Sequence, residues 1–226
     1  RHVKAALNAM TVKTDRNDAR GIAQLMRMGW FRPVHVKTLQ AQEIRALLTA
    51  RKLLVAKLHD VESSIRGILR GFGLRVGVIS KGKFEPRIRE LVAGQAMLER
   101  VAKPLLRARA ALGAEYRTLH RQLLATVRED EVCRRLMTVP GVGAVVAVTF
   151  RSAIDQPARF TKSKAVGAHF GLTPKKYQSG EIDRTGRISK VGDAMVRTAL
   201  FEAANAMLSR TVRFSALKAW ALRVAG

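Results

Sequence analysis

Residues 44–72 read IRALLTARKLLVAKLHDVESSIRGILRGF, and the periodicity of this stretch decides the fold. Ile44, Leu47, Leu54, Leu58, Val61, Ile65, Ile68 and Phe72 recur in helical steps, with Arg51 filling the one polar place in the seam. That spacing lays a single apolar stripe along a helix for about four heptads. The stripe needs a partner to bury against, either within the chain or on a second copy. Arg45, Arg51, Lys52, Lys57, Arg66 and Arg70 give the helix a basic outer face. Gly71, Gly73, Gly77 and Gly82 end it, and residues 74–84 read as an irregular, basic, mobile tip. A second helical region starts at Pro86 and reaches about Leu98. Pro104 then opens a further helix to about Asp130, with Leu112, Tyr116, Leu119, Leu123 and Val127 on one stripe. Two long helices about a glycine-rich tip predict an antiparallel helical, coiled-coil-like arm over residues 39–132 and a mainly α fold.

The whole chain shares the arm's basic character. Its 226 residues hold 42 Lys and Arg against 17 Asp and Glu, a formal charge of +25. Such an excess makes the compact state repel itself, and a polyanionic partner is the usual reason to keep it. Nucleic acid leads, because phosphate neutralisation supplies most non-specific affinity. No apolar run approaches the ~20 residues of a spanning helix, and no charged-then-apolar signal opens the chain, so no membrane role is expected. The single cysteine, Cys133, excludes an internal disulfide framework and suits a reducing cytoplasm. With no Cys/His cluster, a structural zinc site is not expected.

Upstream of the arm, residues 1–13 carry Val3, Ala5, Ala6, Leu7, Met10 and Val12 and read as a helix or a helix-to-loop passage. Lys13-Thr-Asp-Arg-Asn-Asp-Ala-Arg20 follows, then Ile22, Ala23, Leu25 and Met26 at helical spacing. Thr14 or Asp15 makes a good N-cap, so a helix is expected from there to Met28 or Gly29, with a break around Pro33. Asp15 and Asp18 stand three apart on one face of it, where two carboxylates can share a cation. Divalent-metal nucleases use such pairs to activate the attacking oxygen and steady the leaving one. The competing reading is local: Asp15 caps the helix and Asp18 favours its dipole.

Downstream, Leu136-Met-Thr-Val-Pro-Gly-Val-Gly-Ala-Val-Val-Ala147 has the form of a helix-hairpin-helix. Gly141 and Gly143 allow its tight turn, and the free N–H groups of the following helix can hold a phosphate. A structural hairpin without ligand is the alternative. Residues 160–170 read as an amphipathic helix, with His169 beside Phe170 as a packed core histidine. Residues 171–192 are dense in glycine and predict a loop or short hairpin between helical flanks. Ser179 and Ser189 lie there among Lys175, Lys176, Arg184, Arg187 and Lys190. A serine on such a loop can present a nucleophile to a phosphodiester, or both can be turn or cap residues. A final helical pair follows, from which Arg197 faces back toward the loop as a phosphate clamp.

Three of these elements, in this order, resemble the insertion sequence 110 family of transposases, related to the Piv/MooV DNA invertases. They are Lys13-Thr-Asp-Arg-Asn-Asp-Ala19, Val139-Pro-Gly-Val-Gly143, and Gly171-Leu-Thr-Pro-Lys-Lys-Tyr-Gln-Ser-Gly180 with Ile188-Ser-Lys-Val-Gly192. The resemblance covers nearly the whole chain, and its last block is the most specific. It implies a RuvC-like α/β nuclease domain with an Asp-Glu-Asp-Asp tetrad, ending at residues 1–38. The helical arm would follow at 39–132 and a serine-bearing transposase domain at 133–226. By resemblance Asp15 and Asp18 are the last two tetrad members, binding Mg²⁺. Ser179 is the nucleophile, forming a covalent phosphoserine link to DNA. Ser189 is the runner-up, expected to cap a helix beginning near Lys190. Double-stranded DNA, a structured guide RNA and further copies of the chain, as a dimer or tetramer, are the implied partners, in the prokaryotic cytoplasm and on the nucleoid. The family's first Asp and its Glu lie upstream of the point where this sequence begins, and its closing helices after Trp220 are curtailed. A truncated chain with half its metal ligands, weak or inactive alone, is therefore expected.

Two other functions fit the charge. One is a non-catalytic nucleic-acid-binding protein using the helix-hairpin-helix and the basic arm. The other is a helical scaffold whose charge reflects proximity to RNA. The acidic pair and the Tyr177-Gln-Ser-Gly180 block favour the recombinase, since mere binding needs neither.

Overall fold

A computed structural model describes residues 6–8, 12–31, 34–210 and 214–225. The chain divides into two compact units, Arg1–Lys37 and Thr38–Gly226. In the first, helix α1 (Asp15–Arg27) starts where expected: the Thr14 hydroxyl accepts the Asn17 N–H at 3.2 Å. It stops where the Gly29 and Trp30 amides turn back onto the Met26 and Leu25 carbonyls. Most of the passage over residues 1–13, and Pro33, lie outside the described residues.

The second unit opens with the arm: α2 (Leu39–Gly71), α3 (Phe84–Val92) and α4 (Ala96–Glu129). α2 and α4 run antiparallel for about 50 Å at the usual rise per residue. Their seam buries Leu48, Ile65 and Leu69 from α2 against Leu98, Ala102, Leu106, Leu123 and Val127 from α4. Leu48 and Leu69, rather than Leu47 and Ile68, sit deepest, and Ile68 and Phe72 face solvent. The far end of α2 packs against α3 as well as α4, so its apolar face is wider than a two-helix seam and turned toward both. Arg51, the polar place in the seam, is met across it. Its Nη2 donates to Tyr116 Oη at 2.9 Å and its guanidinium lies over the Tyr116 ring. Glu62 and Arg109 pair across the same seam at 2.7 Å. Arg45, Arg51 and Arg66 are therefore partly buried, not outward.

Two expectations about the arm fail. Residues 74–83 form a packed cap rather than a loose tip. Val76 and Phe84 are buried, and Arg66 and Arg109 donate to the Gly77 and Lys81 carbonyls at 2.8 and 3.0 Å. Pro104 does not open a helix but lies within α4, and the break comes instead after Val92. Interior proline costs about 3 kcal/mol. Pro104 is exposed, so the Arg100 carbonyl it leaves open reaches water, while Leu98, Ala102 and Leu106 on the opposite face are buried. At about 2 kcal/mol per buried leucine, packing outweighs the lost bond.

Beyond the arm come α5 (Glu131–Leu136), α6 (Ala144–Ile154) and α7 (Lys164–His169). Strands β1 (Pro174–Ser179) and β2 (Ile182–Ile188) follow, then α8 (Ala194–Ser209) and α9 (Ala216–Ala225). Leu48, Leu123 and Val127 share one core with Cys133, Ala147 and Val148, which fuses the arm's base to α5 and α6. Asp155, at the end of α6, holds the start of α2: its carboxylate accepts the Thr38 N–H at 2.9 Å and the Thr38 hydroxyl at 2.6 Å. Among the described residues no helix is long and apolar enough to cross a membrane.

Candidate functional site

The glycine-dense stretch is a hairpin. β1 and β2 pair antiparallel, with Ser179 opposite Ile182, Tyr177 opposite Arg184 and Lys176 opposite Thr185. A two-residue turn, Gly180-Glu181, joins them, with Gly180 at φ +55°. Between Lys176 and Pro174 the register slips by one residue, a bulge at the hairpin's root. Alternation puts Tyr177, Ser179, Ile182 and Arg184 on one face and Lys176, Gln178, Asp183 and Thr185 on the other. Lys176 pairs with Asp183 at 3.0 Å on that second face. Every residue of both strands is exposed, so the hairpin stands clear of the body.

Its root, by contrast, is rigidly held. Gly171 adopts φ +66°, and a Cβ there would strike the Val191 backbone, so only glycine lets the two ends of the hairpin close. The Ser189 amide donates to the Thr173 carbonyl at 2.9 Å and the Lys190 amide to the Gly171 carbonyl at 3.0 Å. Arg197, expected to clamp phosphate, does face the hairpin. There its Nη1 donates to the Phe170 and Val191 carbonyls, both at 3.1 Å, and staples the root shut. Ser189 is not a helix cap: α8 begins at Ala194, and Asp193 caps it through bonds from the Met195 and Val196 amides at 2.9 and 3.3 Å. The other Asp193 oxygen pairs with Arg45 of α2 at 2.6 Å, tying the hairpin's exit to the arm. Asp before an apolar helical run is an N-cap signal, and it was the sequence cue to this residue.

The structure separates the two serines by environment. Ser179 is exposed at the hairpin tip, whereas Ser189 is half-buried at the root. Lys175, Lys176, Arg184, Arg187 and Lys190 are exposed along the strands and root, so the hairpin presents cations over its length. His169 is not a core residue. It is exposed, with its ring edge-on to Phe160 and Phe170 and its Nε2 3.1 Å from Arg159 Nη2. It ends a short helix, so only one side of the ring finds packing. Burial pulls the Arg159 guanidinium below its ordinary value.

Between α5 and α6 the chain turns, the Val142 amide donating to the Val139 carbonyl at 3.0 Å, and the two glycines of this turn differ. Gly141, at φ +84°, packs so closely on α8 that a Cβ would collide with the Ala203 carbonyl and Met207. Gly143 is exposed at the N-cap of α6, with no side-chain cap and open space where a Cβ would go. Of the pair, Gly143 is the one placed beside a helix N-terminus that an anion could reach. Cys133 is fully buried behind this turn. Burial, then the neighbouring Asp130 carboxylate, push its thiol up to about 12.

Asp15 and Asp18 occupy the first turn of α1, Asp15 exposed and Asp18 half-exposed. Among the described residues no group of three or more His, Cys, Asp or Glu side chains could hold a metal. Two hard carboxylates a turn apart are the donor type that a hard divalent cation takes, the rest of its shell being filled by water and substrate phosphate. The acids belong to the first unit and Ser179 to the second.

Both ends of the chain match transposase families. Residues 1–73 match a DEDD-type IS110 transposase family, and residues 133–219 match the family described as transposase IS116/IS110/IS902. The transposase for insertion sequence element IS1111A of Coxiella burnetii is 32% identical over 216 residues, covering 92% of this chain and 57% of that protein. A Sinorhizobium fredii protein named as transposase y4pF/y4sB is 31% identical over 218 residues, with coverages of 92% and 55%. A Pseudomonas aeruginosa protein named as a family 20 transposase is 27% identical over 201 residues, covering 87% and 60%. The chain thus spans a little over half the length of these curated relatives.

Proposed function

The chain belongs to the IS116/IS110/IS902 family of transposases, and on that premise we propose that its hairpin delivers Ser179 to a DNA phosphodiester. The carrying observation is placement: Ser179 is exposed at the tip of a free-standing cationic hairpin whose root is stapled by Arg197. A rigid root under an exposed tip limits the conformations lost when DNA binds. In the proposed step Ser179 Oγ attacks phosphorus and the Oγ–P bond forms. The P–O bond to the departing deoxyribose breaks, and the serine proton passes to the oxygen released. Reversal with another strand's hydroxyl rejoins DNA, so the bond energy is conserved in the phosphoserine link.

Asp15 and Asp18 are the residues of this chain that would hold a divalent cation, Mg²⁺ by the hardness of their oxygens. When bound, it would supply Lewis-acid stabilisation of charge on the phosphate oxygens. Lys175 and Arg184 would hold the DNA backbone beside Ser179, and Arg187 and Lys190 would hold it toward the root. In this reading the intact protein works as a dimer or tetramer of the Piv/MooV kind, with sequence choice delegated to a structured guide RNA. Delegation suits a chain whose exposed cations address backbone rather than base edges.

A second reading, nucleic-acid binding without chemistry, is favoured only by the solvent-facing Gly143 end of α6. One experiment separates the two. In the full-length transposase, Ser179→Ala should abolish strand exchange and the covalent protein–DNA adduct while sparing RNA binding, and Ser189→Ala should keep the adduct. An adduct lost only in the Ser189 variant would transfer the role to that residue. Strand exchange that survives both would mean that neither serine is the nucleophile. Duplex binding with no strand exchange or adduct in the unsubstituted protein would leave binding alone.

A further inference from the structure

At the far end of the arm, roughly 40 Å along α2 from Arg45 at the helical rise, a cavity of about 530 Å³ opens between Arg66, Arg70, Leu74, Arg75, Val76 and Gly77. Three guanidiniums and no carboxylate line it. The acids nearby are already engaged: Glu85 with Arg89 at 2.6 Å, Glu90 with Arg87 at 2.7 Å and Glu62 with Arg109 at 2.7 Å. Among the described residues no ion pair neutralises Arg66, Arg70 or Arg75.

The cavity is built rather than accidental. Arg66 is fixed in advance, its Nη1 donating to the Gly77 carbonyl at 2.8 Å and its guanidinium 5.3 Å from the centre of the buried Phe84 ring. Val76, buried, and Leu74, half-buried, join the wall to the arm's core. A helix C-terminus normally repels anions through its unsatisfied carbonyls. Here the last turn of α2 is closed by its own chain, the Leu74 amide donating to Leu69 and the Gly73 amide to Arg70, both at 3.0 Å. What remains at the surface is positive charge in fork-shaped donors, the geometry that grips phosphate by two bonds at once.

We propose that this cavity is a phosphodiester-binding site, through which the arm's tip holds the backbone of a duplex away from the serine hairpin. The volume admits a phosphate with its flanking sugars, not merely a small ion. DNA and folded RNA offer the same phosphodiester chemistry, and the test tells them apart. The site rests on the arm alone, so it stands whether or not Ser179 is the nucleophile.

Val78, fully exposed at the edge of the cavity, is the place for a probe. In the full chain, Val78→Cys would carry a benzophenone, with Cys133 too buried to compete for the reagent. Irradiation with short labelled duplexes of DNA and of RNA should yield an adduct. An adduct with DNA assigns the site to DNA, and one with RNA assigns it to RNA. Arg70→Gln with Arg75→Gln should remove that adduct and lower the salt slope of duplex-DNA binding by about two, near one per phosphate contact. Arg117→Gln with Arg121→Gln, equal in charge but exposed elsewhere on α4, should leave the adduct in place. No adduct with either duplex above that of a probe at Gln122→Cys would overturn the proposal. So would an adduct indifferent to the loss of Arg70 and Arg75.

Discussion

Asp193 shows how much of the site's geometry rests on single side chains. One oxygen caps α8 and the other pairs with Arg45, with both side chains largely shielded from water. Asp193→Ala should cost about 2 kcal/mol, roughly one for the cap and one for the ion pair. Asn caps as well as Asp, so Asp193→Asn should lose only the second share, and urea unfolding of the three proteins would show the split. A cost equal in both variants would mean that the cap contributes nothing. Cys133 makes a prediction about pH. Its thiol, ordinarily near 9.0, is raised to about 12, first by burial and then by Asp130. Below pH 9 the thiol is protonated in both folded and unfolded states, and its contribution is intact. Above that the unfolded chain ionises while the folded one keeps its proton, so stability falls until the folded value is passed. Cys133→Ala removes this drain, so its deficit against wild type should shrink between pH 8 and about pH 10.5. A deficit that stays constant would mean that the thiol ionises freely in the folded state.

At the scale of elements, Pro104 is the informative residue. It sits exposed within α4, where it forfeits one backbone bond without supplying any buried surface. Pro104→Ala should therefore raise stability by about 1–3 kcal/mol, read as a higher denaturation midpoint with unchanged slope. A lower midpoint would show that the proline's restriction of the unfolded chain is the larger effect. The same residue marks where reading the sequence went astray. A proline at a helix start and a proline tolerated on a helix's wet face look alike in one dimension, and only the burial of Leu98 and Leu106 on either side distinguishes them. The cap at Thr14, the inner stripe from Leu112 to Val127 and the hairpin at residues 174–188 were legible because their signals are local. The packed cap at residues 74–83 was not, because its glycines and cations conceal Val76, which is buried only through contacts distant in sequence. His169 was misplaced inside for a related reason: a residue beside a buried Phe170 need not share its burial at a helix end. That Ser179 and the cations around it share one loop or hairpin could be read in advance. Arg197 faces the loop, as expected. Its bonds to the Phe170 and Val191 carbonyls and the Arg45–Asp193 tie could not be read, since partners distant in sequence leave no local signal.

Across the whole molecule the deciding quantity is charge. Even with every Asp and Glu paired, 25 cations would remain without an acidic partner on a chain of 226 residues. Where the fold does spend acids, it spends several at its joints: Asp155 at the head of the arm, Asp193 at its base and Glu62 within it. On the hairpin the cations outnumber the acids, and the cavity at the arm's tip is lined by cations with no acid among them. Salt should therefore act on this chain in two opposite directions. Without nucleic acid, raising salt toward about 0.5 M shortens the screening length to a few ångströms and relieves self-repulsion, so Tm should rise by several degrees. Over the range from about 50 to 200 mM the affinity for duplex DNA should instead fall by ~10³-fold or more, as six or more phosphate contacts release their counterions. Thermal melts and fluorescence anisotropy on the same preparation would test both. A flat Tm would mean that the cations lie too far apart to repel one another. A shallow binding slope, near one or two, would deprive the charge of its polyanionic partner and leave the scaffold reading as the better account of it.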